Sequence, residues 1–146
     1  MKLLPIILAA GQGSRMNSSL PKVLHPIGGK PMLQHVLESC RELDVENMAV
    51  VYGHGGELVR ERIEANDVNW ILQAEQKGTG HAVLQAVDCI DDDSIVVVAY
   101  GDVPLIKTDT LQLLVDKLSD ATLTVLTTIL ENPAGYGRIM RNKQSR

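Results

Sequence analysis

Two kinds of hydrophobic pattern alternate along the chain. Short, nearly continuous apolar runs rich in β-branched residues predict strands of a covered sheet, and they occur at 4–8, 48–52, 69–72, 94–100 and 123–130. Longer segments with apolar residues every three or four positions predict amphipathic helices, and they occur at 31–43, 57–65, 79–87 and 108–118. This alternation of strand and helix favours an α/β fold with a largely parallel sheet.

Local signals refine these elements. Pro31 suits the first turn of a helix, and Thr79 and Thr108 are candidate N-caps of the two helices that they begin. The run SIVVVAY at 94–100 is apolar at nearly every position. It therefore predicts a central strand that is covered on both faces.

Composition places the chain among globular proteins. Its 146 residues suffice for one domain, and 45% of them are hydrophobic and 22% charged. A net charge of −4 argues against a nucleic-acid-binding surface, and no apolar run reaches the roughly 20 residues that a membrane helix needs. Because the start lacks a secretory cleavage pattern, we expect a cytoplasmic protein in which Cys40 and Cys89 are free, buried thiols. The polar end that follows GYGRIM predicts a fragment of a longer protein.

A glycine-rich loop, LAAGQGSRM, follows the first predicted strand. Gly11 and Gly13 let backbone N–H groups approach an anion closely, and Arg15 offers a planar fork of donors that suits phosphate. Lys22 supplies a second cation, so the loop could hold the phosphates of a nucleotide. Taken alone, the loop is explained equally well as a structural turn. The dinucleotide-binding fingerprint is excluded, because it requires a third glycine where Met16 stands.

Two more segments carry candidate chemistry at the ends of strands. Asp102 follows the run 94–100, where a carboxylate can bind Mg²⁺ together with phosphate oxygens; a simple turn aspartate before Pro104 is the alternative. Gln73, in QAEQKGTGHAV, has an amide that can both donate and accept at the edge of a pyrimidine, and a solvated side chain in an ordinary turn is the alternative. The histidines show no metal-ligand spacing and are expected to have surface or capping roles: His25, His35, His54 and His81.

Six motifs follow one another over nearly the whole chain: LAAGQGSRM, PKVLHPIGGKPM, VVYGHGG, LQAEQKGTGHAV, YGDVPLI and GYGRI. Together they resemble the bacterial N-acetylglucosamine-1-phosphate uridylyltransferases, which form the N-terminal half of a bifunctional enzyme. The resemblance implies a Rossmann-like nucleotidyltransferase fold with a mostly parallel central sheet covered by helices on both faces. It also implies that residues 1–146 are the N-terminal part of a sugar-nucleotidyltransferase domain, without the rest of that domain and without the family's C-terminal left-handed β-helix.

The resemblance also implies roles for individual residues. Arg15 and Lys22 would be catalytic and hold phosphates, and Asp102 would be the magnesium ligand. With Gly13 as part of the backbone cradle, the implied nucleotide and sugar contacts are Leu8, Ala9, Ala10, Gly11, Gly13, Lys22, Gln73, Gly78, Thr79, Tyr100, Gly101, Asp102 and Gly137. Gln73 and Gly78 would read uracil, and Gly137 would contact the sugar.

The implied activity is Mg²⁺-dependent uridylyl transfer from UTP to N-acetylglucosamine 1-phosphate. It gives UDP-N-acetylglucosamine and pyrophosphate, and it feeds the synthesis of peptidoglycan and lipopolysaccharide precursors. Full-length members of the family also acetylate glucosamine 1-phosphate and are expected to be homotrimers. Two alternatives stay open: a nucleotidyltransferase for another sugar 1-phosphate or nucleoside triphosphate, and a non-catalytic nucleotide-binding fragment. Neither a nucleic-acid nor a membrane partner is expected.

Overall fold

A parallel β-sheet organises the computed structural model, which describes residues 2–11, 13, 16–53 and 55–141. The strands are β1 (Lys2–Ala9), β2 (Pro26–Ile27), β3 (Lys30–Pro31), β4 (Met48–Gly53), β5 (Val68–Gln73) and β6 (Ser94–Tyr100). The α-helices are α1 (Met32–Arg41), α2 (Glu57–Arg62), α3 (Thr79–Leu84) and α4 (Thr108–Asp116). Short 3₁₀ turns occur at Lys22–Leu24, Val87–Cys89 and Lys117–Asp120.

The central sheet has four strands in the order β5–β4–β1–β6, and each neighbouring pair is parallel. Ile6 of β1 lies opposite Ala49 on one side and Val98 on the other, so β1 is paired on both of its edges. β2 and β3 form a separate antiparallel pair. Because the carboxyl ends of parallel strands meet at one edge of a sheet, the loops that follow β1, β4, β5 and β6 lie side by side.

Hydrophobic side chains cover both faces of this sheet. On one face, Ile7 of β1 and Val50 of β4 belong to a buried cluster with residues of α1, α2 and α4, including Leu33, Val59 and Leu111. A smaller cluster on the opposite face joins β1 and β4 to α3, and it consists of Leu4, Ile6, Ala49, Val51, Ala82 and Ala86. The predicted α/β architecture, with a parallel sheet and helices on both faces, is therefore confirmed. No helix in the described ranges has the length and apolar character to cross a membrane.

The hydrophobic run at 94–100 predicted the wrong position in the sheet for its strand. The expectation of a central, doubly covered strand at 94–100 is incorrect, because β6 is an edge strand of the described sheet. Val98 and Tyr100 are 43% and 49% exposed. A continuous apolar run shows that a strand favours burial on both faces, but it does not determine which strands lie beside it.

The predicted strand at 123–130 is also incorrect, since these residues form no strand. Residues 123–126 instead line an apolar groove beside β6 and α4, where the Thr124 hydroxyl donates to the Leu114 carbonyl at 2.9 Å. β-branched residues favour a pleated, half-buried surface only when a partner strand supplies one. Here Leu123 and Ile129 are 76% and 100% exposed.

The predicted helix caps differ from the structure as well. Gly78 and Lys107 are the N-cap residues, and Thr79 and Thr108 are the first helical residues behind them. The Thr108 hydroxyl contacts the Ser39 carbonyl at 3.0 Å instead, and so joins α4 to α1. Because Thr108 is already a helical residue, its hydroxyl does not hold the N-cap position from which it could accept from the first free N–H groups of α4.

The two cysteines are both free, but only one is fully buried. Cys40 is buried in α1, whereas Cys89 is half-buried. Burial penalises the charged thiolate and raises the pKa of the Cys40 thiol to about 11. The expectation of two buried thiols is thus correct for Cys40 alone.

Candidate active site

A cleft of about 350 Å³ opens where the carboxyl ends of β1, β5 and β6 meet the start of α3. Ten of its lining residues are implied contacts from the sequence: Leu8, Ala9, Ala10, Gly11, Lys22, Gln73, Gly78, Thr79, Tyr100 and Asp102. Val23, Gln76 and Ala82 also line it. The topology therefore brings together residues that lie nearly one hundred positions apart in the sequence.

An ion pair occupies one end of the cleft. Lys22 Nζ donates to Asp102 Oδ2 at 2.6 Å, and each side chain is 33% exposed. Lys22 begins a 3₁₀ turn, and Asp102 lies two residues past β6. Two independent loops thus bring a cation and a carboxylate to the same place.

Two glycines fix these loops against their surroundings. Gly13 has a φ of +60°, and a Cβ at this position would lie 2.7 Å from Lys22 Cβ. Gly101 is buried, and its amide donates to the Leu8 carbonyl at 2.9 Å. It therefore ties the start of the loop that carries Asp102 to β1, and it is not among the residues that line the cleft. Arg15, the other predicted catalytic cation, lies outside the described residues.

A buried amide occupies the other end of the cleft. Gln73, the last residue of β5, is 3% exposed. Its Nε2 donates to the Gly78 carbonyl at 3.3 Å and lies 2.9 Å from His81 Nδ1. Gly78 reaches this position with a φ of +96°, which only glycine adopts readily. The expectation that His81 has a surface or capping role is therefore wrong, because its ring bonds a buried side chain in the cleft.

Gln76 is a second cleft residue that the sequence did not single out. Its Nε2 donates to the Ala10 carbonyl at 2.5 Å, which joins the loop after β5 to the loop after β1. Gln76, Ala10 and Gly11 also line a second cavity of about 290 Å³ on the other side of this bridge. The motif QAEQKGTGHAV contained both Gln76 and His81, but nothing in their spacing indicated which backbone or side chain each would meet.

Three implied contacts do not line the cleft: Gly13, Gly101 and Gly137. Gly13 and Gly101 belong to the loops beside it, whereas Gly137 is exposed and lines neither of the two cavities beside the β1 loop. The structure thus brings ten of the implied contacts to one cleft and leaves the implied sugar residue, Gly137, outside it.

The donor set at the Lys22–Asp102 end of the cleft fits a hard divalent cation that is shared with a ligand. Mg²⁺ usually takes one or two protein carboxylates and completes its shell with phosphate oxygens and water. Asp102 supplies one such carboxylate, and the Lys22 ammonium on its Oδ2 shows that a cation is accommodated there. No group of three or more potential metal-ligating side chains occurs in the described part of the chain, so an all-protein metal cage is not formed by these residues.

Comparison with known protein families and structures gives consistent results. The MobA-like NTP transferase domain model matches residues 5–142. The chain is 56% identical over 144 residues to the bifunctional protein GlmU of Pseudomonas putida strain GB-1, covering 99% of this chain and 31% of the relative. It is 55% identical over 139 residues to the bifunctional protein GlmU of Marinobacter nauticus, covering 95% of this chain and 31% of the relative. The chain therefore spans about a third of the length of these relatives.

Solved structures share the fold at lower identity. Rv0371C of Mycobacterium tuberculosis H37Rv, determined as a complex with manganese, superposes with a TM-score of 0.66 at 20% identity over 79% of this chain and 58% of that one. A UDP-glucose pyrophosphorylase complexed with UDP-glucose superposes with a TM-score of 0.63 at 23% identity over 80% of this chain and 55% of that one. At these identities the likeness concerns the fold.

Proposed function

The chain belongs to the MobA-like NTP transferase domain family, and from this premise we propose that its cleft binds UTP and transfers the uridylyl group to N-acetylglucosamine 1-phosphate. The products are UDP-N-acetylglucosamine and pyrophosphate. The observation that carries the proposal is that the two ends of the cleft differ in chemical character. A buried amide, Gln73, lies at one end, and the Lys22–Asp102 pair lies at the other.

From the Gln73 end to the Lys22 end, the lining of the cleft matches first the base and then the phosphates of a nucleotide. Leu8 and Ala82 offer apolar surface to a base near Gln73. The backbone of Ala10 and Gly11 lies beside this surface, and Gly11 has open space where a Cβ would stand. Phosphates that extend from the base past this loop would reach Lys22, whose ammonium donates to anionic oxygens.

The chemistry requires no general base from the protein. The attacking phosphate oxygen of a sugar 1-phosphate is already anionic at neutral pH, so the task is to position two polyanions and to compensate their charge. We assign Lys22 and Arg15 to the phosphates of UTP, where a preorganised donor stabilises charge that develops on the transferred and leaving groups. The attacking oxygen then displaces pyrophosphate at the α-phosphorus.

Asp102 is the residue proposed to hold Mg²⁺, which would neutralise phosphate charge when bound. The manganese complex of the related fold supports a divalent cation, with Mg²⁺ as the specific proposal. The Lys22 ammonium donates to one oxygen of this carboxylate. A divalent cation held by Asp102 would weaken the attraction between the carboxylate and the ammonium, and Lys22 would then be available to a phosphate.

Several further properties are proposed for the longer protein and not for these residues alone. The relatives are named bifunctional, and we propose acetylation of glucosamine 1-phosphate and homotrimer formation for a full-length counterpart. A cytoplasmic location and a role in cell-wall precursor synthesis follow from the same proposal. Further sugar contacts would come from outside the cleft described here, since Gly137 lies apart from it.

Two measurements on the 146-residue chain test the proposal. Calorimetric titration with UTP and Mg²⁺ measures binding, and pyrophosphate release with N-acetylglucosamine 1-phosphate measures turnover. A nucleotide panel establishes the base preference. Binding with turnover supports the full proposal, and binding without turnover supports the alternative of a nucleotide-binding fragment. Absence of UTP binding, or equal binding of ATP, would refute the assignment of the cleft.

A further inference from the structure

We propose that His81 is a positioning residue for base selection: it fixes the Gln73 amide so that Oε1, and not Nε2, faces the base. The inference rests on the proposed uridine specificity of the cleft and adds to it the residue that orients the Gln73 amide toward the base. It concerns the ratio of affinities for different pyrimidines, and not the affinity for nucleotides in general.

The Gln73 amide nitrogen has no hydrogen left for a ligand. A primary amide carries two N–H donors, and Nε2 of Gln73 makes two contacts, with the Gly78 carbonyl at 3.3 Å and His81 Nδ1 at 2.9 Å. The Gly78 oxygen can only accept, so the amide nitrogen must face it. His81 Nδ1 is then the acceptor of the second hydrogen, and the neutral ring carries its proton on Nε2.

With both hydrogens of Nε2 in use, the Gln73 amide oxygen is the atom that can bond a base. Within the described part of the chain, no group donates to Gln73 Oε1. Gln73 lines the cleft. The base therefore meets an acceptor whose direction is set by His81 and Gly78.

An acceptor in this position distinguishes uracil from cytosine. In a nucleotide, the sole hydrogen-bond donor on the uracil ring is N3–H, so a uracil held against Oε1 places N3–H there. Cytosine in the same pose presents an unprotonated N3, and two acceptors then face each other. If Gln73 could rotate, Nε2 would donate to cytosine N3 and the discrimination would be lost. 5-Methyluracil keeps N3–H, so this device does not separate it from uracil.

Two variants test the role of His81. His81→Leu keeps an apolar side chain of similar size and removes the acceptor, whereas His81→Asn supplies an acceptor oxygen close to the position of Nδ1. His35→Ala is the control, since His35 bonds the Ile27 carbonyl on another helix. Calorimetry on the full 146-residue chain with Mg²⁺ measures the affinities for UTP, 5-methyl-UTP and CTP.

We expect the parent chain to bind UTP at least about tenfold more tightly than CTP, which is the scale of one buried hydrogen bond. His81→Leu should lower this ratio, because the Gly78 carbonyl alone then holds the amide, and should leave the ratio of UTP to 5-methyl-UTP unchanged. His81→Asn and His35→Ala should retain the discrimination. If leucine prevents folding, His81→Ala replaces it in the same comparison.

The outcomes separate the inference from the function on which it rests. If the parent chain binds no nucleotide, or prefers CTP, the proposed uridine site itself fails. If the parent chain prefers UTP and the leucine or alanine variant keeps the full UTP-to-CTP ratio, the site stands and the role of His81 is overturned. A uniform loss of affinity for all three nucleotides would indicate a packing role and would also overturn it.

Discussion

Substituting Gly53 by alanine tests whether the close approach of two loops maintains the cleft. Gly53 ends β4, and a Cβ built there would lie 2.7 Å from the Ala10 oxygen and 2.9 Å from Gln76 Nε2. The Ala10 oxygen is a backbone atom, so the added methyl cannot be accommodated by turning a flexible side chain. The β1 loop has to move by several tenths of an ångström, and the Gln76–Ala10 hydrogen bond of 2.5 Å has to lengthen.

The expected cost follows from overpacking. Extra methyl groups in well-packed positions typically cost about 1–3 kcal/mol. For a chain of this size, each kcal/mol lowers the melting temperature by roughly 3 °C, so Gly53→Ala should melt about 3–9 °C lower than the parent chain. Because Ala10 lines the cleft, its displacement should also weaken UTP binding by about tenfold, which corresponds to about 1.4 kcal/mol.

A matched glycine in open space provides the control. Gly80 lies in α3, and a Cβ at this position meets nothing within 4 Å. Gly80→Ala should stabilise the chain by about 0.5–1 kcal/mol, because alanine loses less backbone entropy in a helix. Thermal unfolding followed by circular dichroism measures both variants. The reasoning is refuted if Gly53→Ala melts with the parent chain, or if the two substitutions shift the melting temperature in the same direction.

Three further predictions concern separate features of the molecule. Asp102→Asn should weaken Mn²⁺ binding in the presence of UTP, as measured by electron paramagnetic resonance of the free ion; an unchanged titration would argue against Asp102 as the ligand. The Arg41 guanidinium, which hydrogen-bonds Asp67, lowers the pKa of that carboxyl below its ordinary value of 3.8. The pair therefore stabilises the fold above that pH and loses its contribution as the pH falls through the lowered pKa, so Asp67→Asn should show a smaller loss of stability in acid urea titrations than the parent chain. In the native chain at pH 8, the half-buried Cys89 should react with a thiol reagent well before Cys40, whose raised pKa of about 11 disfavours the thiolate; equal rates would contradict the burial of Cys40.

The parts of the fold that the sequence predicted are those determined within a single element. The apolar runs of β1 and β4 are continuous because both faces of the sheet are covered there, and this is visible in the residues themselves. The glycine loop and Asp102 were recognised because both follow predicted strands, and parallel strands bring their carboxyl ends together. The Lys22–Asp102 contact at 2.6 Å follows from this topology, although the two residues are 80 positions apart.

The parts that the sequence did not predict depend on a partner from another element. The pattern of β6 cannot show that β1 is its sole described neighbour, and the pattern of 123–130 cannot show that a partner strand is lacking in this sheet. From the sequence Thr108 is a candidate N-cap, whereas in the structure its hydroxyl contacts the Ser39 carbonyl of another helix. In each case local preference is overridden by a tertiary contact.

The Lys22–Asp102 ion pair bears on whether the proposed site would prefer a metal-bound or a metal-free nucleotide. A cation and a carboxylate 2.6 Å apart largely cancel each other at the distance of an approaching ligand. The described end of the cleft therefore presents little net positive charge to a free triphosphate, and the protein as a whole has a net charge of −4. Under the proposed function, a nucleotide that arrives with a divalent cation would change this balance, because Asp102 would gain a new partner and the Lys22 ammonium would become available to a phosphate. The ion pair between the two loops would therefore favour the metal-loaded nucleotide over the free one.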